Sequence, residues 1–200
     1  MRRERFIRRR GECIVIGVSA GGMNVLPVVF SPLPADFPVP VVVVKHVGAD
    51  SNNSYFIGHL DERIQLKVKE ADEKEPIMRG YVYIAPANYH LLVEDDETFS
   101  LSVDARVNYS RPSIDVLFES AVEVYNSKLI GIILTGANND GAEGLKKIKQ
   151  CGGLAIVQNP EGAESDAMPR AALAACKVDY VLSLEEIANF LKKILSTRIR

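Results

Sequence analysis

Three residue types that together activate a hydroxyl group follow three apolar runs of the sequence. Ser19 follows CIVIGV, His46 follows VPVVVVK, and Asp140 lies in the loop after LIGIIL. A serine hydroxyl is a weak nucleophile until a neutral imidazole takes its proton, and a carboxylate can hold that imidazole in the required tautomer. The three residues could therefore act as a Ser-His-Asp catalytic triad if the fold brings them to one edge.

The apolar runs predict the elements that would do this. Five of them are continuous and rich in β-branched residues, which is typical of strands buried on both faces; they cover 13–18, 39–44, 129–134, 154–157 and 178–182. Capping-box patterns at Asp140-x-x-Glu143 and Ser183-x-x-Glu186 predict helix starts. The alternation predicts a doubly wound α/β fold, a mostly parallel sheet with helices on both faces.

One region departs from this alternation. Short alternating segments joined by turn residues fill residues 64–104 and predict an antiparallel insertion or an antiparallel edge of the sheet. Elsewhere the parallel pattern holds, and a doubly wound sheet gathers its ligands at the carboxyl ends of its strands. Ser19, His46 and Asp140 are therefore expected on one rim.

Other interpretations of the glycine-flanked serine fit less well. A phosphate loop of the type G-x-G-x-x-G would have glycine in place of Ser19. Residues 17–21 match the G-x-S-x-G elbow of α/β-hydrolases, but that fold needs the order serine, acid, histidine, and all three histidines precede Asp140. Singly, a turn serine, a strand-end histidine and a helix N-cap aspartate explain the same residues. Spacing alone leaves the triad and these simpler roles open.

Composition limits the class of protein. The chain has 200 residues, of which 47% are hydrophobic, and this suits one domain. Residues 1–10 carry a charge of +5 against −7 for the rest, which predicts a basic, disordered leader or a docking arm for an acidic partner or membrane surface. Three cysteines without metal-ligand spacing predict buried, reduced thiols and favour the cytoplasm. We expect no membrane-spanning segment, nucleic-acid partner, cofactor or metal.

Longer motifs are more specific than any of these features. They are IGVSAGG at 16–22, KH at 45–46, YIAP at 83–86, VNYSRPSIDVLF at 107–118, GIILTGANNDGAEG at 131–144 and AMPRAA at 167–172. With these motifs the sequence from Ile14 to Leu195 resembles the catalytic domain of CheB-type protein-glutamate methylesterases. The resemblance implies a catalytic domain over 11–200 without the receiver domain that such proteins commonly carry. Whether the chain is free-standing or a fragment stays open.

The resemblance also implies roles for single residues. Ser19 matches the family's nucleophile, His46 its general base and Asp140 its orienting acid. Backbone amides near the nucleophile and in the acid loop are candidates for the oxyanion site, and two arginines in family-like stretches are candidates for binding acidic substrate segments, with structural salt bridges as the alternative; these residues are Ala20, Gly21, Ala137, Arg111 and Arg170. His59 and His90 receive no catalytic role.

The implied reaction is the hydrolysis of glutamate γ-methyl esters. The substrates would be the cytoplasmic helices of methyl-accepting chemotaxis receptors, and some members of the family also deamidate receptor glutamines. Other chemotaxis signalling proteins are further candidate partners.

Three positions depart from the family pattern. Ala20 stands where the family usually has threonine, and Ala137 and Asn138 replace its usual methionine and glycine. A hydroxyl near the oxyanion is therefore missing. The departures keep a second hypothesis open, in which the chain is a catalytically idle CheB-like binding module of a signalling complex.

Overall fold

The computed structural model describes residues 12–48 and 52–196, so the basic leader over 1–10 lies outside the described residues. The strands are β1 (Cys13–Val18), β2 (Val41–Lys45), β3 (Lys67–Glu70), β4 (Tyr81–Ile84), β5 (His90–Val93), β6 (Phe99–Ser102), β7 (Leu129–Ile133), β8 (Leu154–Gln158) and β9 (Tyr180–Leu182). The α-helices are α1 (Gly22–Phe30), α2 (Ser54–Asp61), α3 (Ile114–Tyr125), α4 (Ala142–Gln150), α5 (Ala167–Ala175) and α6 (Leu184–Ser196).

Seven of these strands form one parallel sheet in the order β3-β4-β2-β1-β7-β8-β9. The chain runs outward from β1 through β2 on one side and resumes with β7 on the other side. The strand order therefore switches between β1 and β7, and a crevice forms at the carboxyl ends of strands on either side of such a switch. The doubly wound α/β prediction is confirmed.

The antiparallel part is narrower than the interval 64–104. Among the strands of the described residues, β5 and β6 alone pair antiparallel, as a separate two-stranded sheet, whereas β3 and β4 pair in parallel within the main sheet. This small sheet packs on α3: the Val93 N–H donates to Ser120 Oγ at 3.1 Å. The hairpin is thereby joined to α3.

Alternate residues of the central strand face two separate cores. Ile14 and Ile16 pack with α1 and α6 on one face, and Cys13 and Val15 pack with α3 and α4 on the other. This explains the continuous apolar runs, because both faces of the sheet are covered. Cys13 is buried as predicted, but Cys151 is exposed, which corrects that expectation; all three cysteines are free.

One of the two predicted capping boxes forms. The Ser183 N–H donates to Glu186 Oε2 at 2.8 Å, and the Glu186 N–H donates to Ser183 Oγ at 3.2 Å. The capping box predicted at Asp140 is wrong, because Gly141 occupies the N-cap of α4 and the Asp140 carboxylate binds other donors. Within the described residues, no helix has the length and apolar character needed to cross a bilayer.

Candidate active site

Ser19 and His46 leave neighbouring parallel strands at the same level. The strand register pairs Val18 with Lys45, so the next step places Ser19 opposite His46. The main chain continues the ladder at this step: the His46 N–H donates to Val18 O at 3.0 Å, and the Ser19 N–H donates to Thr135 O at 2.9 Å. The serine backbone is thus held between its two neighbours. Within the described residues no hydrogen bond joins the Ser19 hydroxyl to His46.

His46 and Asp140 meet across the switch point although 94 positions separate them. His46 Nε2 lies 2.7 Å from Asp140 Oδ2, and the exposed fractions of the two side chains are 11% and 0%. Gly141 makes this approach possible, because its φ of 90° turns the chain directly after Asp140 and a Cβ there would lie 2.5 Å from Ile133 Cδ1. Asp140 is therefore buried at the carboxyl edge rather than exposed at the helix start.

The Asp140 carboxylate accepts hydrogen bonds on both oxygens. Oδ2 accepts from His46 Nε2 and the Ile114 N–H, both at 2.7 Å; Oδ1 accepts from Ser113 Oγ at 2.8 Å, Asn108 Nδ2 at 3.0 Å and the Asp115 N–H at 3.2 Å. Burial raises the pKa of this carboxyl, but the hydrogen bonds from His46, Asn108 and Ile114 outweigh it, and the net pKa lies below the usual value. The carboxylate is held ionised.

The ionised carboxylate sets the tautomer of the histidine. It can only accept, so His46 Nε2 carries the proton and Nδ1 keeps its lone pair. Asn138 lies next to that lone pair, with Nδ2 at 3.5 Å from Nδ1. The amide orientation follows from its other end, because Asn138 Oδ1 accepts from the Asp140 N–H at 3.1 Å. The unprotonated nitrogen of the imidazole is thus Nδ1, and it faces an amide donor.

A second buried carboxyl group, that of Asp115, lies near Asp140. Asp115 accepts from the Gly144 N–H and from Asn108 Nδ2, both at 2.7 Å. Burial raises the pKa of Asp115 to about 6 against the hydrogen bond from Gly144, which lowers it, and the charge of Asp140 adds to the rise. Asn108 therefore links two buried carboxyl groups through one amide.

The residues that surround Asp140 are the ones that sequence reasoning missed. Neither Asn108 nor Ser113 is among the site residues that the sequence predicts. Ser113 does occupy the N-cap of α3, but its hydroxyl binds Asp140 rather than the helix. Both residues lie in the motif VNYSRPSID, which is specific to the family resemblance. The motif was therefore the feature of the sequence that could have indicated a role for them.

The oxyanion candidates lie on the exposed side of the site. Within the described residues, the main-chain N–H groups of Ala20, Gly21 and Ala137 have no hydrogen-bond acceptor. Gly21 has a φ of 85°, a conformation that a residue with a side chain rarely adopts, and it turns the chain from β1 into α1. These free donors are the kind of group that stabilises a developing negative charge.

The two candidate arginines have partners within the chain. Arg111 binds Asn88 Oδ1 through Nη2 at 2.7 Å and also donates to the carbonyl oxygens of Val103 and Asp104. Exposed Arg170 pairs with Asp166, one helical turn earlier, at 2.6 Å. These contacts favour a structural role for Arg111, because it joins two loops.

The remaining histidines lie apart from this chemistry. His90 is buried; its Nδ1 accepts from the Ser113 N–H at 3.2 Å, and Nε2 donates to Ala105 O at 3.1 Å. His59 lies half-buried on α2, where its carbonyl accepts from Arg63. Across the described residues no group of three or more His, Cys, Asp or Glu side chains is arranged to hold a metal ion.

This fold and site define a class: a doubly wound α/β protein in which a histidine binds a buried carboxylate beside a strand-end serine. Residues 14–191 match the family model described as CheB methylesterase, and the chain belongs to this family.

Individual relatives agree with the family match. The chain is 60% identical over 178 residues to a protein of Leptospira interrogans named "Putative protein-glutamate methylesterase/protein-glutamine glutaminase", covering 89% of this chain and 92% of that protein. It is 36% identical to the Thermotoga maritima protein-glutamate methylesterase/protein-glutamine glutaminase, covering 92% of this chain but only 54% of that longer relative. The crystal structure of the Thermotoga maritima CheB methylesterase catalytic domain superposes with a TM-score of 0.88 at 35% identity, over 92% of this chain and 98% of that one.

Proposed function

We propose that this chain is a serine esterase that hydrolyses glutamate γ-methyl esters of methyl-accepting chemotaxis receptors, with Ser19, His46 and Asp140 as its catalytic triad. The observation that carries the proposal is the 2.7 Å hydrogen bond from His46 Nε2 to buried Asp140, made beside a strand-end serine. It leaves Nδ1, the other imidazole nitrogen, unprotonated and able to take the Ser19 proton.

The first half of the reaction forms an acyl-enzyme. The Ser19 hydroxyl rotates toward His46 Nδ1, which takes its proton as Oγ attacks the ester carbonyl. Asp140 stabilises the resulting imidazolium through the Nε2 proton. The tetrahedral intermediate collapses when the imidazolium returns the proton to the leaving methoxide, and methanol departs. The product is a glutamyl ester of Ser19.

Water completes the cycle by the same route. His46 Nδ1 takes a proton from water, the hydroxide attacks the acyl carbonyl, and the proton returns to Ser19 Oγ as it leaves. The receptor glutamate is released as a carboxylate. Glutamine follows the same steps with ammonia in place of methanol, which accounts for a glutaminase activity.

The N–H groups of Ala20, Gly21 and Ala137 serve the oxyanion. They lie beside the nucleophile and in the acid loop, and they are free to donate when the carbonyl oxygen gains charge. The missing hydroxyl at Ala20 leaves this task to the backbone.

The names of the relatives favour the esterase over an idle binding module. Both the Leptospira interrogans and the Thermotoga maritima proteins are named as protein-glutamate methylesterases and protein-glutamine glutaminases.

We place the reaction in the cytoplasm, where the chain would meet the cytoplasmic receptor helices and other chemotaxis signalling proteins. We treat residues 11–200 as one catalytic domain. Arg111 and Arg170 remain candidates for contact with acidic receptor segments.

Methanol release from a methylated receptor tests the proposal. The wild-type chain should release methanol, and Ser19→Ala should lower the rate by roughly three orders of magnitude or more, because oxyanion donors alone give little turnover. Thermal unfolding of the variant should match the wild type. A Ser19→Ala variant that retains its rate would exclude the serine mechanism.

A fluorophosphonate probe separates the enzyme from the idle module. The probe should label wild type at Ser19 and should not label Ser19→Ala. Ser31→Ala is the matched control, because Ser31 lies exposed at the end of α1, and it should be labelled like the wild type. Absence of label on the wild-type protein would favour the idle module.

A further inference from the structure

A tight turn carries an unusual residue beside the site. The N–H and carbonyl groups of Val107 and Ser110 bond to each other at 2.9 and 3.2 Å, which closes a two-residue turn. Its central residues, Asn108 and Tyr109, have φ values of 49° and 63°. Positive φ at both central positions is the pattern of a type I′ turn, which favours Asn-Gly. Asn108 suits its position, but a tyrosine stands where glycine is favoured.

The ring of Tyr109 does not pack against the part of the chain that the structure describes. Tyr109 is 95% exposed, the highest value among the exposed large hydrophobic residues of the described chain. A bulky residue at positive φ is a true conformational outlier, and such outliers gather at functional sites. The position disfavours the side chain, and the folded chain gains no packing from it. A contact outside the chain would explain why the ring is there.

The turn is fixed to the catalytic network by its first central residue. Asn108 Nδ2 donates to Asp140 Oδ1 at 3.0 Å and to Asp115 Oδ2 at 2.7 Å. Tyr109 follows it directly, so its Cα lies about 3.8 Å from that of Asn108. The exposed ring is therefore held at the rim of the site by a rigid anchor, and not on a loose loop.

Other exposed apolar side chains cluster in the segments joined to this turn. Val103, Val107 and Tyr89 are 65%, 36% and 41% exposed. Arg111 joins the segments that bear them, because it donates both to Asn88 and to the Val103 carbonyl. We call Tyr89, Val103, Val107 and Tyr109 the rim surface. Exposed apolar residues concentrated in one place mark contact sites more often than scattered ones do.

We propose that Tyr109, with the rim surface around it, binds the receptor segment that flanks the esterified glutamate and so selects a protein substrate over a small ester. This inference rests on the proposed function and names the part of the protein that recognises the substrate chain. The occupant is a polypeptide segment because the ring is 95% exposed on the turn beside Asp140, where a substrate that extends beyond the ester group can reach it. Tyrosine suits such a contact, since it offers a large apolar face with few rotatable bonds.

The test compares Tyr109→Gly and Tyr109→Asn with Tyr109→Phe. Glycine and asparagine both tolerate positive φ, so these variants remove the ring without straining the turn. We expect KM for a methylated receptor to rise about tenfold in both, with kcat changed less than about twofold. Tyr109→Phe keeps the ring, so its KM should stay within about twofold of the wild-type value. Fluorophosphonate labelling of Ser19, which involves no flanking chain, should keep its rate.

A matched variant controls for the backbone change. Lys74 has a φ of 61° and an exposed side chain, so Lys74→Gly makes the same kind of substitution at positive φ, in the loop after β3; it should leave KM and kcat as they are. An unchanged KM in both ring-deleting variants would overturn the inference, and so would equal losses in kcat and in labelling, which would indicate a structural role for the turn. A wild-type chain that releases no methanol from the receptor would instead contradict the proposed function.

Discussion

The two sides of the candidate site differ in how completely their hydrogen bonds are made. On the acid side, Asp140 is fully buried and accepts five donors. On the nucleophile side, Ser19 is half-buried, and the N–H groups of Ala20 and Ala137 meet no acceptor among the described residues. The acid side is thus preorganised by the fold, and the nucleophile side is left for the substrate to complete.

This difference predicts which substitutions damage the fold and which damage only the reaction. A change on the acid side leaves buried donors or acceptors without partners, which costs stability as well as activity. A change on the nucleophile side alters groups that solvent already reaches, so stability should be nearly untouched.

The largest effect is expected from Asp140→Asn. An amide has one accepting atom, so its NH₂ group must face donors on one side, either His46 and Ile114 or Ser113 and Asn108. We expect kcat for methanol release to fall about 10³- to 10⁴-fold and the free energy of unfolding to fall by about 2–3 kcal/mol.

Asp166→Asn is the control for this change, because Asp166 forms an exposed ion pair with Arg170. Its free energy of unfolding should change by less than about 1 kcal/mol. If Asp140→Asn kept more than about a tenth of the wild-type kcat, Asp140 would not be the residue that orients His46.

The next effect is a pH dependence of stability that comes from Asp115. Its pKa in the folded protein is raised to about 6, above the value of roughly 3.9 in an unfolded chain. The folded state therefore binds more protons between about pH 4 and 6, and this contribution to stability is lost as the pH rises through that window. The loss should be about 2–3 kcal/mol.

Denaturant unfolding at pH 4, 5, 6 and 7 measures this contribution. The difference in unfolding free energy between wild type and Asp115→Asn should change by about 2–3 kcal/mol between about pH 4 and 6. A loss of stability that is the same at every pH does not affect this comparison. Glu123→Gln, on an exposed position of the same helix, should give a curve parallel to wild type. Parallel curves for Asp115→Asn as well would mean that Asp115 is ionised in the folded protein throughout.

A smaller effect is expected from Asn108→Gly. Glycine keeps the φ of 49° but removes the amide that links Asp140 and Asp115. The two carboxylates lose a shared donor, so we expect the free energy of unfolding to fall by about 1–3 kcal/mol and kcat to fall about tenfold. Methanol release and thermal unfolding would measure both.

Asn126→Gly is the matched control, because Asn126 also has a φ of 49° but lies exposed at the end of α3, where its amide binds the Glu123 carbonyl. It should leave kcat unchanged. Equal effects of the two substitutions would show that the backbone, and not the amide of Asn108, produces them.

The same two regions show what could be predicted from the sequence. The runs predicted as strands at 13–18 and 129–134 match β1 and β7 to within one residue, because continuous burial on both faces leaves a continuous apolar pattern. The predicted strand ends put Ser19 and His46 on one rim, and the register of β1 and β2 places them at neighbouring positions.

Contacts that depend on distant loops could not be predicted in this way. The segments KVKE and YVYI were assigned with the antiparallel region because short alternating strands do not encode their partners. The local pattern Asp140-x-x-Glu143 indicated a helix cap, because a sequence window does not contain the donors on Asn108 and Ser113 that bind the carboxylate instead. The acid side was thus the less predictable of the two regions.

The smallest predicted effect lies on the nucleophile side, at Ala20→Thr. Ala20 is exposed, so a threonine fits without repacking, and its hydroxyl would add a donor beside the oxyanion candidates. We expect kcat to rise by about two- to fivefold and the free energy of unfolding to change by less than about 0.5 kcal/mol. Ala20→Val, which has the same shape without the hydroxyl, should give no rise. An equal rise in both variants would assign the effect to shape, and no rise in either would mean that the backbone donors already satisfy the oxyanion.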